Sequence, residues 1–372
     1  MKTVHVAVEA HNLVRDDRGI GRYARAVLSR AVRDPGFRWT FVVRDLLPRR
    51  APIARALAGA PLDRVRIARR VPGDADVVWF PWNGTFLRTG LPSVATVHDA
   101  APFAFPAADA RRRATEQEPF LLTARTARTI LVQSAFTASE VESRLGVERE
   151  RIVVTPLAVD RAVFSPLPAV GNGESASDDG GARAASRERG LGGALPPELR
   201  GRRYVLHVGA HDERKNSRTL IEAFASAFPE GDVGLAFTRR PPSMPRGAAV
   251  VAAPDDATLV TLYRHAALVA VPSPYEGFGL PLLEAMACGA AALAARAGAL
   301  PEVGADATEW IDDPLDAPAW SAALRTLLAD DERRSVLAKR GLARAATFSW
   351  DRCTEQTLSV LRETASCRRT TD

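Results

Sequence analysis

Residues 269–289 read Val-Ala-Val-Pro-Ser-Pro-Tyr-Glu-Gly-Phe-Gly-Leu-Pro-Leu-Leu-Glu-Ala-Met-Ala-Cys-Gly, and this stretch decides how the rest of the chain is interpreted. Leu268 to Val271 is a short apolar run, as expected of a strand buried on both faces, and prolines end it. Gly277 and Gly279 then give a loop whose backbone can adopt unusual angles and let a ligand come close. Pro281 suits the first position of a helix, where its missing N–H is not needed. The stretch therefore predicts a strand, a glycine-rich loop and a helix.

The predicted helix and the loop before it carry the groups that could bind a ligand. Its inward apolar face and its C-terminal cap are expected at Leu282, Leu283, Met286 and Gly289. Its N-terminus offers backbone N–H groups and a positive dipole end, which suits a phosphate. Glu276 lies in the loop, and we expect Glu284 in the first turn of the helix, off the apolar face. Either glutamate alone is equally consistent with a solvated helix start, but the pair around Gly-Phe-Gly-Leu-Pro favours a binding site.

The segment from Glu276 to Gly289 resembles the signature of the retaining glycosyltransferases of family 4, which have the GT-B fold. The resemblance implies that Glu276 contacts hydroxyls of the donor sugar, without acting as a covalent nucleophile, and that Glu284 holds the nucleotide ribose. The loop amides implied to lie near the sugar and the diphosphate belong to Gly277, Phe278, Gly279 and Leu280.

Composition fits a globular protein of 372 residues, with 46% hydrophobic and 25% charged residues, and this length suggests two domains. The net charge is +6. Nearly all of the positively charged residues are arginines, which we attribute first to a GC-rich coding bias. A nucleic-acid-binding role would require a basic stripe with interleaved aromatic residues or a reading helix, and the sequence has neither. Lysine is rare, so the position of Lys215 is informative.

Three cysteines, Cys288, Cys353 and Cys367, have no metal-ligand spacing and imply no disulfide framework, so we expect a reducing, cytoplasmic location. The first residues begin directly with a strand pattern and do not resemble a signal peptide. No window is long enough for a transmembrane helix. Membrane contact, if there is any, is therefore expected to be peripheral, at the inner face of the membrane.

Glycines also follow the first predicted strand, Val4 to Val8, where Gly19 and Gly21 precede a predicted helix from Arg22 to Arg33. Such a pair lets backbone amides approach a phosphate or a sugar, although for the pair alone a simple tight turn is the commoner explanation. The string Arg-Gly-Ile-Gly-Arg-Tyr resembles the N-terminal glycine loop of the same family, which faces the donor. The resemblance implies donor binding by Gly19 and Gly21.

The strand that starts at Val94 ends in His98 and Asp99, at the edge where open α/β sheets bind ligands. A single histidine is more often a structural residue. This dipeptide resembles the His-Asp motif of the family, which implies that His98 lies beside the donor sugar and takes part in catalysis. Asp99 is expected to hold the histidine or its loop by a hydrogen bond.

A cationic pair, Arg214 and Lys215, follows the strand that begins at Tyr204 and precedes a predicted helix. The pair can be interpreted as exposed surface charges. Alternatively, cations at this position can neutralise a diphosphate leaving group. The match to the family implies catalytic and donor-binding roles for both residues. Ala210 stands where some relatives have arginine, and Thr238 where many have glycine, so contacts to the phosphate or the base are in doubt there.

Two arginine-rich segments, 44–70 and 111–113, have a solvated surface as the simpler interpretation. The alternative is a basic patch for anionic lipid or an acidic acceptor.

The predicted fold class is α/β, with two doubly wound Rossmann-like domains facing across a cleft. We predict an N-terminal acceptor-side domain at 1–166 and a flexible insert rich in Gly, Ser and Ala at 167–200, which is too polar to bury a core. A nucleotide-sugar-binding domain at 201–346 and a helix at 347–372 that crosses back to the N-terminal domain complete the chain.

The implied reaction is retaining transfer of a hexose, with mannose as a guess, from a nucleotide-diphosphate sugar to a glycan, lipid-linked or small-molecule acceptor. The resemblance implies that neither a metal nor another cofactor is needed. Two alternatives stay open: a GT-B sugar-nucleotide epimerase or phosphorylase, and a non-catalytic nucleotide-sugar-binding partner of a transferase.

Overall fold

The computed structural model describes residues 3–16, 19–43, 50–57, 59–85, 87–167, 195 and 197–367. The chain divides into two compact units. Unit 1 comprises Met1–Ala158 and Phe348–Asp372, and unit 2 comprises Val159–Thr347. Most of the insert predicted at 167–200 lies outside the described residues.

Each unit contains one sheet, and every strand pair within the described ranges is parallel. The strands of unit 1 are β1 Val4–Glu9, β2 Phe37–Val42, β3 Val65–Ala68, β4 Val77–Phe80, β5 Ser93–Val97, β6 Thr129–Val132 and β7 Ile152–Val154. Those of unit 2 are β8 Tyr204–His207, β9 Gly234–Phe237, β10 Ala248–Val250, β11 Leu268–Val271, β12 Ala292–Ala295 and β13 Glu309–Ile311.

Helices connect these strands. They are α1 Gly19–Ala31, α2 Arg50–Ala56, α3 Ala101–Ala104, α4 Ala110–Thr126, α5 Ala135–Leu145, α6 Ser217–Ala227, α7 Asp256–His265, α8 Leu280–Ala287, α9 Leu300–Gly304, α10 Ala317–Ala329, α11 Asp331–Ala345 and α12 Trp350–Ser366. No helix among the described residues is long and apolar enough to cross a membrane.

The strand orders explain where ligands can bind. Unit 1 has the order β3-β2-β1-β4-β5-β6-β7, and unit 2 has the order β10-β9-β8-β11-β12-β13. In both sheets the connections reverse direction beside the first strand, between β1 and β4 and between β8 and β11. Open parallel sheets bind ligands outside the carboxyl ends of the strands at such a reversal. The two sheets confirm the predicted α/β class with two doubly wound units.

Continuous apolar runs form the strands because helices cover both faces of each sheet. All six residues of β1 and all four of β11 are buried. Ser134 caps α5, since its hydroxyl accepts a hydrogen bond from the backbone N–H of Thr137 at 3.0 Å. Gly289 follows the end of α8 with φ of 76°, and its N–H donates to Met286 O, as in a Schellman motif.

Several predicted boundaries were wrong. Helix α1 begins at Gly19 rather than Arg22, and α8 begins at Leu280, so Pro281 occupies the second helical position. Strand β13, Glu309–Ile311, was not predicted.

Candidate active site

The carboxyl edge of the unit 2 sheet brings two predicted residues together. Lys215 Nζ lies 2.5 Å from Glu276 Oε1, and the two side chains are only 16% and 12% exposed. Lys215 comes from the loop after β8 and Glu276 from the loop after β11, the two strands that flank the reversal point. The pair is therefore a direct product of the strand order. Its charges are balanced while they are kept largely from water, and a charge-assisted hydrogen bond joins them.

Local structure fixes the position of Lys215. A 3₁₀ turn, Glu213–Lys215, is capped by Asp212, whose carboxylate accepts the backbone N–H of Lys215 at 3.1 Å. The aliphatic part of the lysine side chain passes over Gly209, where an added Cβ would lie 3.4 Å from it. That distance is an ordinary van der Waals contact, so the φ of 146°, rather than a lack of space, favours glycine at position 209.

Asn216 joins the two loops. It has φ of 47°, a left-handed conformation that is uncommon outside glycine but tolerated by asparagine. Its side-chain N–H groups donate to Pro272 O at 3.1 Å and Pro314 O at 2.6 Å, and its Oδ1 accepts from Thr219 at 2.7 Å. The loop that carries Lys215 is thereby tied to the end of β11.

The backbone of Glu276 is held by a second turn. The N–H of Ala299 donates to Glu276 O at 2.9 Å. Gly298, with φ of 58°, lies so close that an added Cβ would be 2.7 Å from Glu276 N. Sequence reasoning placed this turn but assigned it no role. Its function in the fold is to support Glu276 from behind.

Gly279 caps α8 with φ of 99°, and an added Cβ would lie 2.6 Å from Leu300 Cδ2, so a side chain does not fit. Beyond it, the amides of Leu282 and Leu283 donate to Gly279 O, and Pro281 has no N–H. The N-terminus of α8 therefore has fewer free backbone N–H groups for an anion than a helix N-terminus usually has.

Glu284 corrects one prediction. It lies in the second turn of α8 rather than the first, and it is 6% exposed, so the alternative of a solvated glutamate does not hold. The hydroxyl of the buried Tyr263 donates to Glu284 Oε2 at 2.9 Å. The sequence pattern of α8 could not show this, because the partner comes from α7.

Arg214 is not part of the Lys215–Glu276 contact. Its guanidinium lies 3.1 Å from the carboxylate of Asp212, and its side chain is 33% exposed. Thr238, at the position where relatives differ, accepts the backbone N–H of Gly209 at 3.2 Å and so holds the β8 loop.

Five buried polar side-chain atoms of unit 2 have no hydrogen-bond partner among the described residues, and three of these are His207 Nε2, His211 Nδ1 and Ser273 Oγ. All three residues lie at or just after the carboxyl ends of β8 and β11. Burial lowers the pKa of His207 to about 4, so its imidazole is neutral at neutral pH. Buried polar atoms are usually satisfied, so water or a ligand is the expected partner at this edge.

In unit 1, His98 stands at the end of β5 and is buried. Its Nε2 lies 3.0 Å from Pro81 O and must carry the proton, since a carbonyl only accepts; Nδ1 is then an acceptor in the neutral ring. Burial lowers the pKa of His98, which favours that neutral form. The ring packs edge-on against Tyr23 at 4.9 Å. Asp99 caps its own loop by accepting the N–H of Ala101.

Gly19 and Gly21 lie in the first turn of α1. At Gly21 an added Cβ would overlap the carbonyl oxygen of Asp16, only 1.7 Å away. That carbonyl also accepts from Arg25 Nη1 at 2.7 Å. Close backbone packing therefore requires glycine at position 21, independently of any contact with a ligand.

Sequence reasoning missed a polar cluster at the reversal point of unit 1. Glu9, the last residue of β1, is 3% exposed, and its Oε2 accepts from Thr85 Oγ1 at 3.1 Å. Its backbone carbonyl accepts from Trp82 Nε1 at 2.8 Å, and its Oε1 lies 3.3 Å from His11 Nδ1. A charged residue that ends an apolar strand was the available signal.

Within the described ranges, no group of three or more His, Cys, Asp or Glu residues is placed to hold a metal ion.

Comparisons with known proteins identify the family. The model of the glycosyl transferases group 1 matches residues 250–344, and that of Glycosyltransferase Family 4 matches residues 8–163. The chain is 31% identical to the O-antigen chain mannosyltransferase B of Escherichia coli over 289 residues, 72% of this chain and 69% of that protein. It is 33% identical to a D-inositol 3-phosphate glycosyltransferase of Kineococcus radiotolerans, but that match covers 60% of this chain and 54% of the relative.

A solved structure shows the same fold. Sucrose-phosphate synthase from Thermosynechococcus elongatus matches 98% of this chain and 100% of its own, with a TM-score of 0.69 and 18% sequence identity.

Proposed function

The chain belongs to glycosyltransferase family 4 and has the GT-B fold, and on this premise we propose that it transfers a hexose from a nucleotide-diphosphate sugar with retention at the anomeric carbon. The observation that carries the proposal is the contact between Lys215 and Glu276 at the reversal point of the unit 2 sheet. A cation beside a carboxylate suits a ligand that presents both a diphosphate and sugar hydroxyls.

In the proposed reaction, an oxocarbenium-like sugar separates from a diphosphate whose negative charge grows. Lys215 stabilises that charge from its fixed position, and Arg214 approaches it from the neighbouring loop position. Glu276 accepts hydrogen bonds from the donor sugar, and Glu284 accepts them from the ribose. Preorganised charges of this kind need little rearrangement during the reaction, which is why they lower its barrier.

Unit 1 contributes His98 in this proposal, as a neutral imidazole beside the donor sugar. Its Nδ1 is suited to accept a hydrogen bond from a hydroxyl, because its Nε2–H donates to Pro81 O. Donor contacts by Gly19 and Gly21 are proposed as well. The reaction as proposed uses no metal ion or other cofactor, so turnover in excess chelator should equal turnover without it.

The donor is proposed to carry mannose, supported by the similarity to the E. coli mannosyltransferase. The same relative, an O-antigen chain mannosyltransferase, supports a glycan acceptor. The match to an inositol-phosphate glycosyltransferase favours a small phosphorylated acceptor instead. A transfer assay with radiolabelled GDP-mannose and both acceptor classes distinguishes the two.

Peripheral contact with an anionic membrane is a further proposal. In the described part of segment 44–70, Arg64, Arg66, Arg69 and Arg70 are exposed. In contrast, Arg112 is paired with Glu116, and Arg113 donates to Ala107 O. Co-sedimentation no stronger with anionic than with neutral vesicles removes this proposal.

Calorimetric titration of nucleoside diphosphates and their sugars tests the donor site. We expect the wild-type protein to bind one base selectively and Glu284→Ala to lose that binding, because the ribose loses its acceptor. No binding of any nucleotide by the wild-type protein contradicts the proposed function.

Turnover tests the catalytic role of Glu276. Glu276→Gln should lower kcat about a hundredfold or more, because a neutral amide leaves Lys215 unbalanced and binds the sugar hydroxyls differently. The matched control is Glu309→Gln, which removes an ion pair with Arg333 elsewhere in unit 2. Proton NMR of the product reports whether the anomeric configuration is retained.

The alternatives are tested in the same assays. Conversion of a nucleotide sugar to its epimer without any acceptor supports the epimerase. Tight donor binding with no turnover on any acceptor supports the non-catalytic partner.

A further inference from the structure

We propose that Tyr263 is a positioning residue for the donor: it fixes the carboxylate of Glu284 in the orientation that receives the ribose. The inference rests on the proposed function. Its basis is the hydrogen bond from the Tyr263 hydroxyl to Glu284 Oε2 at 2.9 Å, between two side chains that are 0% and 6% exposed.

Burial makes this hydrogen bond important. A carboxylate withdrawn from water is costly unless donors satisfy it, and a hydrogen bond to a charged group is stronger than one between neutral groups. Because a carboxylate only accepts, the phenolic hydrogen must point at Glu284. The bond leaves the carboxylate further lone pairs, since two oxygens offer about four acceptor positions.

Tyr263 is itself held in place by residues other than Glu284. Its ring packs edge-on against Phe164, with centroids 6.3 Å apart. The next residue of α7, Arg264, donates to Ser165 O at 2.6 Å and to Ser165 Oγ at 3.0 Å. The helix that carries the tyrosine is thus fastened to residues 164–165, so contacts other than the one with Glu284 also hold the tyrosine ring in place.

This arrangement has a consequence for ligand binding. A ribose that offers neighbouring hydroxyls needs a carboxylate whose plane is already set. Without the tyrosine hydroxyl the carboxylate loses one of the contacts that orient it, and ligand binding must then supply more of the ordering. The loss should appear in donor affinity and KM, whereas chemistry at the anomeric carbon, which Glu276 and Lys215 serve, should change little.

The experiment compares Tyr263→Phe with a matched control, Tyr204→Phe. Tyr204 is also fully buried in unit 2, and its hydroxyl donates at 2.7 Å to a backbone carbonyl, that of Leu262. Each variant removes one buried phenolic hydrogen bond, so both should lose similar thermal stability. Only Tyr263→Phe should weaken binding of the nucleoside diphosphate, by about tenfold, and raise the donor KM with kcat nearly unchanged.

Removing the ribose hydroxyls provides a second, independent measurement. The wild-type protein should bind the 2′-deoxy or the 3′-deoxy nucleoside diphosphate about tenfold more weakly than the ribonucleotide. Tyr263→Phe should show a smaller difference between the same ligands, because its carboxylate no longer favours the hydroxyl. Tyr204→Phe should show the full difference.

The possible results distinguish failure of the proposed function from failure of the positioning role of Tyr263. Wild-type protein that binds no nucleotide overturns the proposed function and this inference with it. If the wild type binds, equal affinity of Tyr263→Phe and Tyr204→Phe overturns the positioning role alone. A ribose preference that is unchanged in Tyr263→Phe overturns it as well.

Discussion

At the scale of single residues, the site depends on uncharged backbone supports as well as on charge. Glu276 is held at its side chain by Lys215 and at its backbone by the turn of Gly298 and Ala299. Any residue larger than glycine at position 298 must move the backbone of Glu276, because its Cβ would be 2.7 Å from Glu276 N and 2.9 Å from Glu276 O.

Gly298→Ala should therefore impair activity beyond its effect on stability. We expect kcat/KM to fall about tenfold or more, since displacing a catalytic group by a fraction of an ångström is costly. Gly201→Ala is the control: its φ of 67° is equally unfavourable for alanine, but an added Cβ there meets nothing within 4 Å. Thermal unfolding should show a cost of ~1–3 kcal/mol for both variants. Equal kcat/KM in the two would show that the turn does not position Glu276.

The sequence singled out two residues that the structure brings together, but it did not predict the surroundings of the others. Spacing and resemblance brought Lys215 and Glu276 forward, and the structure places them in contact. The same reasoning put Glu284 in the first helical turn, off the apolar face, and did not show that it is buried, because a helical pattern shows only which neighbours lie along one helix. Its partner, Tyr263, lies 21 residues earlier on another helix, and such a contact has no local signature.

At the scale of elements, the C-terminal helix α12 is part of the unit 1 core. It groups with Met1–Ala158 and packs against α1. Its buried face includes Leu361, which is 0% exposed. Unit 1 therefore completes its core only with the last residues of the described chain.

Leu361→Ala should destabilise unit 1 by ~2–5 kcal/mol, the usual cost of deleting a buried leucine side chain. The corresponding fall in Tm is on the order of 10 °C for a unit of this size. Leu315→Ala removes the same atoms from a side chain that is 67% exposed, and its Tm should change little. Differential scanning calorimetry of both variants checks this, and equal Tm values would contradict a core role for α12.

Strands buried on both faces were easy to predict, because their apolar runs are continuous. Strand β13 escaped prediction because it is short, Glu-Trp-Ile, and only Ile311 is buried. It forms the edge of its sheet, where burial no longer dictates composition. The predicted helix starts were displaced where a glycine or proline can belong either to the helix or to the preceding loop, as at the starts of α1 and α8.

At the scale of the whole molecule, the two units share a strand order and also a buried histidine at the carboxyl edge of each sheet. His98 belongs to unit 1 and His207 to unit 2. Burial lowers the pKa of both below the ordinary value of 6.5, that of His207 to about 4. Each histidine therefore binds its proton less readily in the native state than in the unfolded state.

The sign of the pH effect follows from this difference. Above about pH 6.5 both states hold neutral histidines, and these groups contribute nothing to the pH dependence. As the pH falls from 6.5 towards 4, the unfolded state takes up protons that native His207 does not, so stability declines. The slope from one such histidine approaches ~1.4 kcal/mol per pH unit and reaches roughly 3 kcal/mol in total.

We expect the free energy of unfolding, measured by urea titration between pH 7.5 and 4.5, to fall more steeply in the wild-type protein than in His207→Phe. The variant loses a hydrogen bond to Ala270 O and should be less stable at neutral pH, but it no longer has the group that takes up the proton. Phe237→Leu is the control, because it disturbs the ring that packs at 5.9 Å against His207 and keeps the histidine. Its curve should lie below that of the wild type with the same slope. A slope in His207→Phe equal to that of the wild type would mean that other groups carry the acid sensitivity of the fold.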